Sequence, residues 1–178
     1  MDIFDTISGR RSIRKFRELP VEPDKISTVL DAARLAPSWK NFQCWRFLVL
    51  AEEELRRKVL DAVPDFNPGK KGLAMAPVIV FACADPAESG LENDIPYYAV
   101  DVAIAMEHLC LAAHALGLGT CWMGWYDEAL LKERFEIPEA MKIVGITPLG
   151  YPDQEPKPRP RKELSDIVFF NSWGETAC

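Results

Sequence analysis

The chain has 178 residues, 48% of them hydrophobic and 27% charged, the make-up of one globular domain (1–178) able to build its own core. Acidic residues outnumber basic ones by 27 to 21, giving a net charge of −6 and a pI near 5.0. This composition excludes collagen, coiled coil and intrinsic disorder, and it argues against generic binding to nucleic acid or to an anionic membrane.

In chain order, Met1–Ser8 reads as a short helix with Ile3, Phe4 and Ile7 at helical spacing, stopped by Gly9. Met1–Arg17 is dotted with charges and has no apolar h-region, so no signal peptide is expected and the setting is cytoplasmic. After the basic cluster Arg10–Arg17, Pro23 or Asp24 opens a second helix that ends at Pro37. Pro37–Cys44 is polar and irregular, Trp45–Ala51 a strand, Glu52–Ala62 a charged helix and Pro64–Lys71 a loop. Pro77–Ala84 has the Val, Ile and Phe content of a fully buried strand. The apolar run that contains it, Leu73–Ala84, is shorter than the ~20 residues a membrane helix needs. Tyr97–Leu116 is apolar nearly all round and predicts a long, buried central helix, ended by Gly117 and Gly119. Cys121–Tyr126 is a strand or extended loop, Asp127 caps a helix to Phe135, and Lys142–Gly150 is a strand. A proline-rich arm, Tyr151–Arg161, leads to a last strand at Ile167–Phe170. Helices alternate with about four strands, which predicts an α+β or three-layer fold.

The five cysteines (Cys44, Cys83, Cys110, Cys121, Cys178) are widely spaced and form no Cys-x-x-Cys. That pattern predicts free, mostly buried thiols and no zinc or iron–sulfur site.

Arg10–Arg17 is the most informative stretch: four arginines, a lysine and Ser12, interrupted by Ile13 and Phe16 as if one face were buried. Arginine forks suit phosphate oxygens, and the acidic remainder favours a small phosphate site over a solvated basic face or a nucleic-acid arm. Ser38-Trp39-Lys40-Asn41-Phe42-Gln43 carries amide and hydroxyl groups that suit a heteroaromatic ring edge; a plain surface loop is the other reading. Gly117–Gly124 lacks the Gly-x-Gly-x-x-Gly spacing and follows a helix, so a C-cap and turn is preferred. Gly124 could still let backbone amides approach a flat ligand. Lys157, Arg159, Arg161 and Lys162 form either a flexible basic tail or a second arm on the same phosphate. Cys110 and His114 share a helix face but sit in the most apolar segment, so they are assigned to the core. His108 and His114 point to different faces, Gly69–Gly72 is no Walker A, and no Gly-x-Ser-x-Gly occurs. The chain thus offers phosphate and amide ligands without an acid–base or nucleophile set, which points to borrowed cofactor chemistry.

Arg10-Arg11-Ser12-Ile13-Arg14-Lys15-Phe16, then Ala36–Trp45, then Ala112–Gly124 resemble the FMN-dependent nitroreductase family, with the order of all blocks preserved from the first helix to Val168. The resemblance implies a three-layer α+β fold: a mixed, mainly antiparallel sheet flanked by helices with a long central helix. It also implies an obligate homodimer with FMN at the interface. Arg10, Ser12 and Arg14 match residues on the FMN phosphate, ribityl chain and pyrimidine edge, and Arg159 and Arg161 match the C-terminal phosphate contacts. Pro37, Ser38, Trp39 and Asn41 match the segment that the partner subunit supplies. Cys121, Trp122, Met123 and Gly124 match the stretch whose amides face flavin N5 and O4, with Met123 or Gly124 as the N5 donor. Arg11 and Gln43 are counted in the same cofactor-binding set.

The implied activity is ping-pong hydride transfer from NAD(P)H through flavin N5 to an electron-poor acceptor such as a nitroaromatic or quinone. No catalytic side chain, metal, nucleic acid or membrane is implied. Ene reduction, reductive dehalogenation, flavin fragmentation or a non-catalytic FMN module are the alternatives. Trp39, Phe42 or Trp122 wall the acceptor pocket or else pack the core. Cys44 stands where the family usually has proline, and Glu107-His108 where Gln-Asn is common.

Overall fold

The computed structural model describes residues 2–175; Cys178 lies outside them. Asp2 caps α1 (Ile3–Gly9) by accepting the N–H groups of Phe4 and Asp5 at 2.7 and 3.0 Å. The chain then runs through Arg10–Arg17 with no regular element to α2 (Pro23–Arg34), whose Pro23 occupies a first-turn position where no N–H partner is needed. Next come β1 (Trp45–Leu50), α3 (Glu53–Leu60), α4 (Lys70–Met75) and β2 (Val78–Ala84). A small hairpin of β3 (Leu91–Glu92) and β4 (Ile95–Pro96) precedes α5 (Tyr97–Ala115). β5 (Gly119–Thr120), α6 (Glu128–Arg134) and β6 (Lys142–Gly150) follow. As the sequence predicts, Asp127 caps α6, accepting the Leu130 N–H at 3.0 Å.

The four-stranded sheet has the order β1-β2-β6-β5 with every pair antiparallel. β2 is buried at all seven positions because its alternate side chains feed two cores. Val78, Val80, Ala82 and Ala84 meet α2 and α5 on one face. Ile79, Phe81 and Cys83 meet Val59 of α3, Leu73 of α4 and Leu131 of α6 on the other. The result is an antiparallel sheet flanked by helices, in an α+β fold. No helix among the described residues is long and apolar enough to cross a membrane.

Three expectations are corrected. Ile167–Phe170 forms no strand: a single turn at Leu164–Asp166 precedes it, and Ile167, Val168 and Phe170 are exposed. It pairs with no strand among the described residues, so its β-branched and aromatic propensity alone does not make it a strand. The loop expected over Pro64–Lys71 is cut short by α4, a helix too brief to leave a periodic signal. Its Gly72 lets the Arg10–Arg17 segment pass: a Cβ there would lie 2.8 Å from Arg14 Cα.

The third correction concerns α5, which is not buried all round. Val102, Ala105, Met106, Leu109 and Ala113 are buried, whereas Val100, Ile104, Glu107, Leu111 and His114, at helical spacing, form a stripe that is only partly covered. The apolar side chains of α1 share this exposure: Phe4 is 79% exposed, and Ile3 and Ile7 also face outward.

Leu109→Ala truncates a side chain with no solvent exposure at the centre of one core. It should cost about 2–5 kcal/mol in urea unfolding at fixed protein concentration; an unchanged midpoint and slope would contradict this packing.

Candidate functional site

The cationic segment is held to the sheet by its apolar residues. Ile13 and Phe16 are buried, and the Ile13 N–H donates to Thr120 O at 2.8 Å, extending the sheet past β5. Gly119 leaves room for this approach, since a Cβ there would meet Ile13 Cγ1 at 2.6 Å. Arg17 N–H donates to Tyr151 O and Asp153 N–H to Lys15 O, both at 2.9 Å, so the start of the C-terminal arm lies along the same segment. Tyr151 is itself tied to α2: its hydroxyl accepts from Lys25 Nζ at 2.5 Å and donates to Glu22 Oε2 at 2.7 Å.

Arg10, Arg11 and Arg14 have different surroundings. Arg10 Nε lies 3.8 Å from Glu107 Oε1 on the open stripe of α5. Arg11 Nη1 donates to Ser8 O at 2.6 Å and to Arg10 O at 2.8 Å, engaging it with the end of α1. Arg14 Nε is shut off from solvent and has no hydrogen-bond partner among the described residues, an unusual state for a charged donor. A cavity of about 520 Å³ opens beside Arg10, lined by Arg10, Arg11, Arg17, His114, Thr120 and Tyr151 among others; His114, expected in the core, is only half-buried and lines it. Burial, with Arg10 and Arg11 beside it, lowers the pKa of His114 and favours the neutral imidazole.

Past β5, Met123 N–H donates to Ile146 O at 2.8 Å, Met123 O accepts the Ile146 N–H at 3.0 Å, and Cys121 N–H donates to Thr147 Oγ1 at 3.1 Å. Those two amides are therefore engaged. Gly124 N–H has no partner among the described residues, and a Cβ at Gly124 would meet nothing within 4 Å. Of the two amides expected to face a ligand, Gly124 is the open one. Trp122 is half-buried, with its indole edge against Gly145.

The Pro37–Cys44 loop departs from ordinary backbone. Lys40, Asn41 and Gln43 have φ of 48°, 58° and 54°, the left-handed region that L-residues enter at a cost. Gln43 N–H donates to Ser38 Oγ at 3.0 Å, and the Trp39 N–H donates to Asp101 Oδ1 at 2.8 Å. Trp39 packs against Tyr97 and edge-on against Phe42, with centroids 5.7 and 5.4 Å away. Asp101, on α5, is 1% exposed and also accepts from Ser89 Oγ at 3.3 Å and Cys44 Sγ at 3.7 Å. Nothing in the sequence singles it out, although of the two acids on this apolar helix, Asp101 and Glu107, it is the buried one.

The cavity at Arg10 does not gather every expected residue. Pro37, Ser38, Trp39, Asn41 and Gln43 are not in its lining, nor are Ser12, Arg14 and Cys121–Gly124. The C-terminal arm contributes Tyr151–Pro156. Arg159 and Arg161 lie farther along and are exposed, with Arg161 Nη1 on Arg159 O at 3.3 Å. Thus one chain brings the Arg10–Arg14 and Cys121–Gly124 blocks to one sheet edge, but of the expected residues only Arg10 and Arg11 line the cavity.

A cationic sheet edge with an open glycine amide, on a helix-flanked antiparallel sheet, defines an α+β protein built to hold an anionic, flat cofactor. The Nitroreductase family model matches residues 7–72 and 68–151, and the chain belongs to that family. A protein of Methanothermobacter thermautotrophicus, named as an NADH dehydrogenase/NAD(P)H nitroreductase, is 35% identical over 177 residues, covering 97% of this chain and 88% of the relative. The crystal structure of a nitroreductase family protein from Clostridium novyi NT has a TM-score of 0.83 at 33% identity and covers 99% of this chain and 97% of its own. An FMN-dependent nitroreductase from Clostridium difficile R20291 has a TM-score of 0.83 at 28% identity, with 96% and 100% covered.

Burial raises the thiol pKa of Cys44 and Cys110 to about 11 and that of Cys83 to about 12. For Cys44, the Asp101 carboxylate adds to the effect. At pH 8 these three thiols stay protonated and should resist iodoacetamide, as read by peptide mass mapping, and should react fully in urea. Rapid alkylation of the native protein at any of them would contradict the packing.

Proposed function

We propose that this protein is a homodimeric, FMN-dependent oxidoreductase of the cytoplasm that moves reducing equivalents from NAD(P)H to an electron-poor acceptor, a nitroaromatic, quinone or similar compound. The observation that carries the reading is Arg14 Nε, a buried charged donor without a partner, on the segment that also bears Arg10 and Ser12. A buried polar group left unsatisfied in this way costs about 1–3 kcal/mol or more, which an acceptor from a ligand removes.

The residues present fit FMN. Arg10 and Ser12 take the phosphate and the ribityl chain, and Arg14 takes the pyrimidine edge, where its positive charge favours an electron-rich ring. Gly124 supplies the free amide for flavin N5. Arg11 holds the backbone of Arg10 through its own carbonyl contacts. Arg159 and Arg161 give the phosphate its second cationic contact. Bound FMN supplies two-electron chemistry in ping-pong order, with donor and acceptor using one face in turn. No side chain of this chain is needed as a general acid, because solvent reaches the site.

A second copy completes the cradle with its Pro37–Gln43 loop. Its docking surface is the apolar face that one chain leaves open: Val100, Ile104 and Leu111 on α5, and Ile3, Phe4 and Ile7 on α1. The exposed Ile167, Val168, Phe170 and Trp173 of the C-terminal segment add to that surface, with Trp173 91% exposed.

Purified protein should be yellow and bleach on addition of NAD(P)H, with parallel double-reciprocal plots when an acceptor is varied. A colourless protein that takes up no added FMN overturns the reading. Arg10→Ala and Arg14→Ala should each weaken FMN binding about tenfold to a hundredfold, the scale of one lost charged hydrogen bond. Unchanged affinity in both would remove the phosphate and pyrimidine assignments.

A further inference from the structure

We infer that Asp101 is a positioning residue for the cofactor site: from the central helix it holds the strained Ser38–Gln43 turn in its working shape. The inference rests on the proposed role of that turn, and Asp101 itself touches no cofactor.

The backbone gives the first argument. Three of the four residues Lys40–Gln43 are left-handed and none of them is glycine. Such backbone persists only where its surroundings over-determine it, and it clusters at sites where a loop must present groups in a fixed pose. The restraints inside the turn are short-range: Gln43 N–H on Ser38 Oγ and Asn41 N–H on Ser38 O, both at 3.0 Å. They close the turn without fixing where it sits. Asp101 does that, since its Oδ1 takes the Trp39 N–H at 2.8 Å.

Helix geometry gives the second. Tyr97 and Asp101 are four residues apart on α5 and so share one face. The Tyr97 ring lies against the Trp39 ring while Asp101 takes the Trp39 N–H, and α5 therefore grips this one residue at both side chain and backbone. Lys40 and Asn41 follow directly, and Lys40 Nζ lies 4.1 Å over the Trp39 ring. Holding Trp39 therefore places a cation and an amide together at the edge of the loop.

The third argument is the surroundings of Asp101. A carboxylate buried in an apolar helix is costly unless donors satisfy it, and an alanine would serve the core better. Three donors converge on it: Trp39 N–H and Cys44 Sγ, from the two ends of the same turn, and Ser89 Oγ, from another part of the chain. Cys44 sits where the family pattern carries proline, which has no side-chain donor, so this chain adds a ligand to Asp101 and links the far end of the turn to it.

The test uses the reconstituted holoprotein. Three quantities are measured: the FMN dissociation constant by flavin fluorescence, the Tm by circular dichroism, and hydrogen exchange of the peptide spanning Trp39. Asp101→Ala should weaken FMN about tenfold and release the exchange protection of that peptide. Asp101→Asn still offers Oδ1 to the Trp39 N–H, and should weaken FMN about threefold. Ser89→Ala removes a donor without touching the turn; it should lower Tm while FMN affinity stays within about twofold of wild type. Wild-type affinity in the folded Asp variants overturns the inference, as does a Ser89→Ala loss equal to that of Asp101→Ala at equal Tm. If Asp101→Ala does not fold, Asp101→Asn decides. Wild-type protein that binds no FMN sinks the proposed function instead, and the exchange measurement then still reports on Asp101.

Discussion

Everything at the site depends on two apolar side chains in a run of arginines. Ile13 and Phe16 are buried, and their burial draws the Arg10–Arg17 segment onto the sheet edge, where the Ile13 N–H pairs with Thr120 O. Without that anchor, five cations within eight residues would spread into solvent, since like charges repel and long side chains favour freedom. With it, Arg14 is held half-buried between the anchors while Lys15 stays exposed. The tight approach at Gly72 and Gly119 shows how little space separates the segment from its neighbours. On this closely held segment Arg14 Nε is buried without a partner among the described residues.

The sheet serves this anchor. β2 is buried on both faces, so two cores hold it, and β6 pairs along it to carry Met123 and the open Gly124 amide beside the cationic edge. The bond between Met123 and Ile146 uses the Met123 amide for the sheet and thereby leaves Gly124 as the free donor.

The apolar stripe on α5 and the outward face of α1 carry the same message from the opposite direction. A helix that is apolar all round has to be covered all round, and one chain covers only part of α5. The uncovered part lies beside Arg10, through Glu107 and His114, so the surface that would accept another copy and the cationic site are continuous.

Much of this was legible in the amino-acid order because it depends on local pattern. Helical spacing placed α1, proline and cap signals placed α2 and α6, an all-round apolar run placed α5, composition placed β2, and the arginine cluster with Ile13 and Phe16 marked the candidate site. What local pattern could not carry was pairing between distant residues. Nothing in the sequence marked Asp101 until the loop at Trp39 folded onto it. Met123 and Gly124 looked equivalent until β6 engaged one of the two amides. Ile167–Phe170 had strand propensity but pairs with no strand among the described residues. Sequence determined which residues carry charge, strain and apolar surface. Tertiary structure alone decided which hydrogen-bonding groups were already satisfied, because that depends on partners brought together from far along the chain.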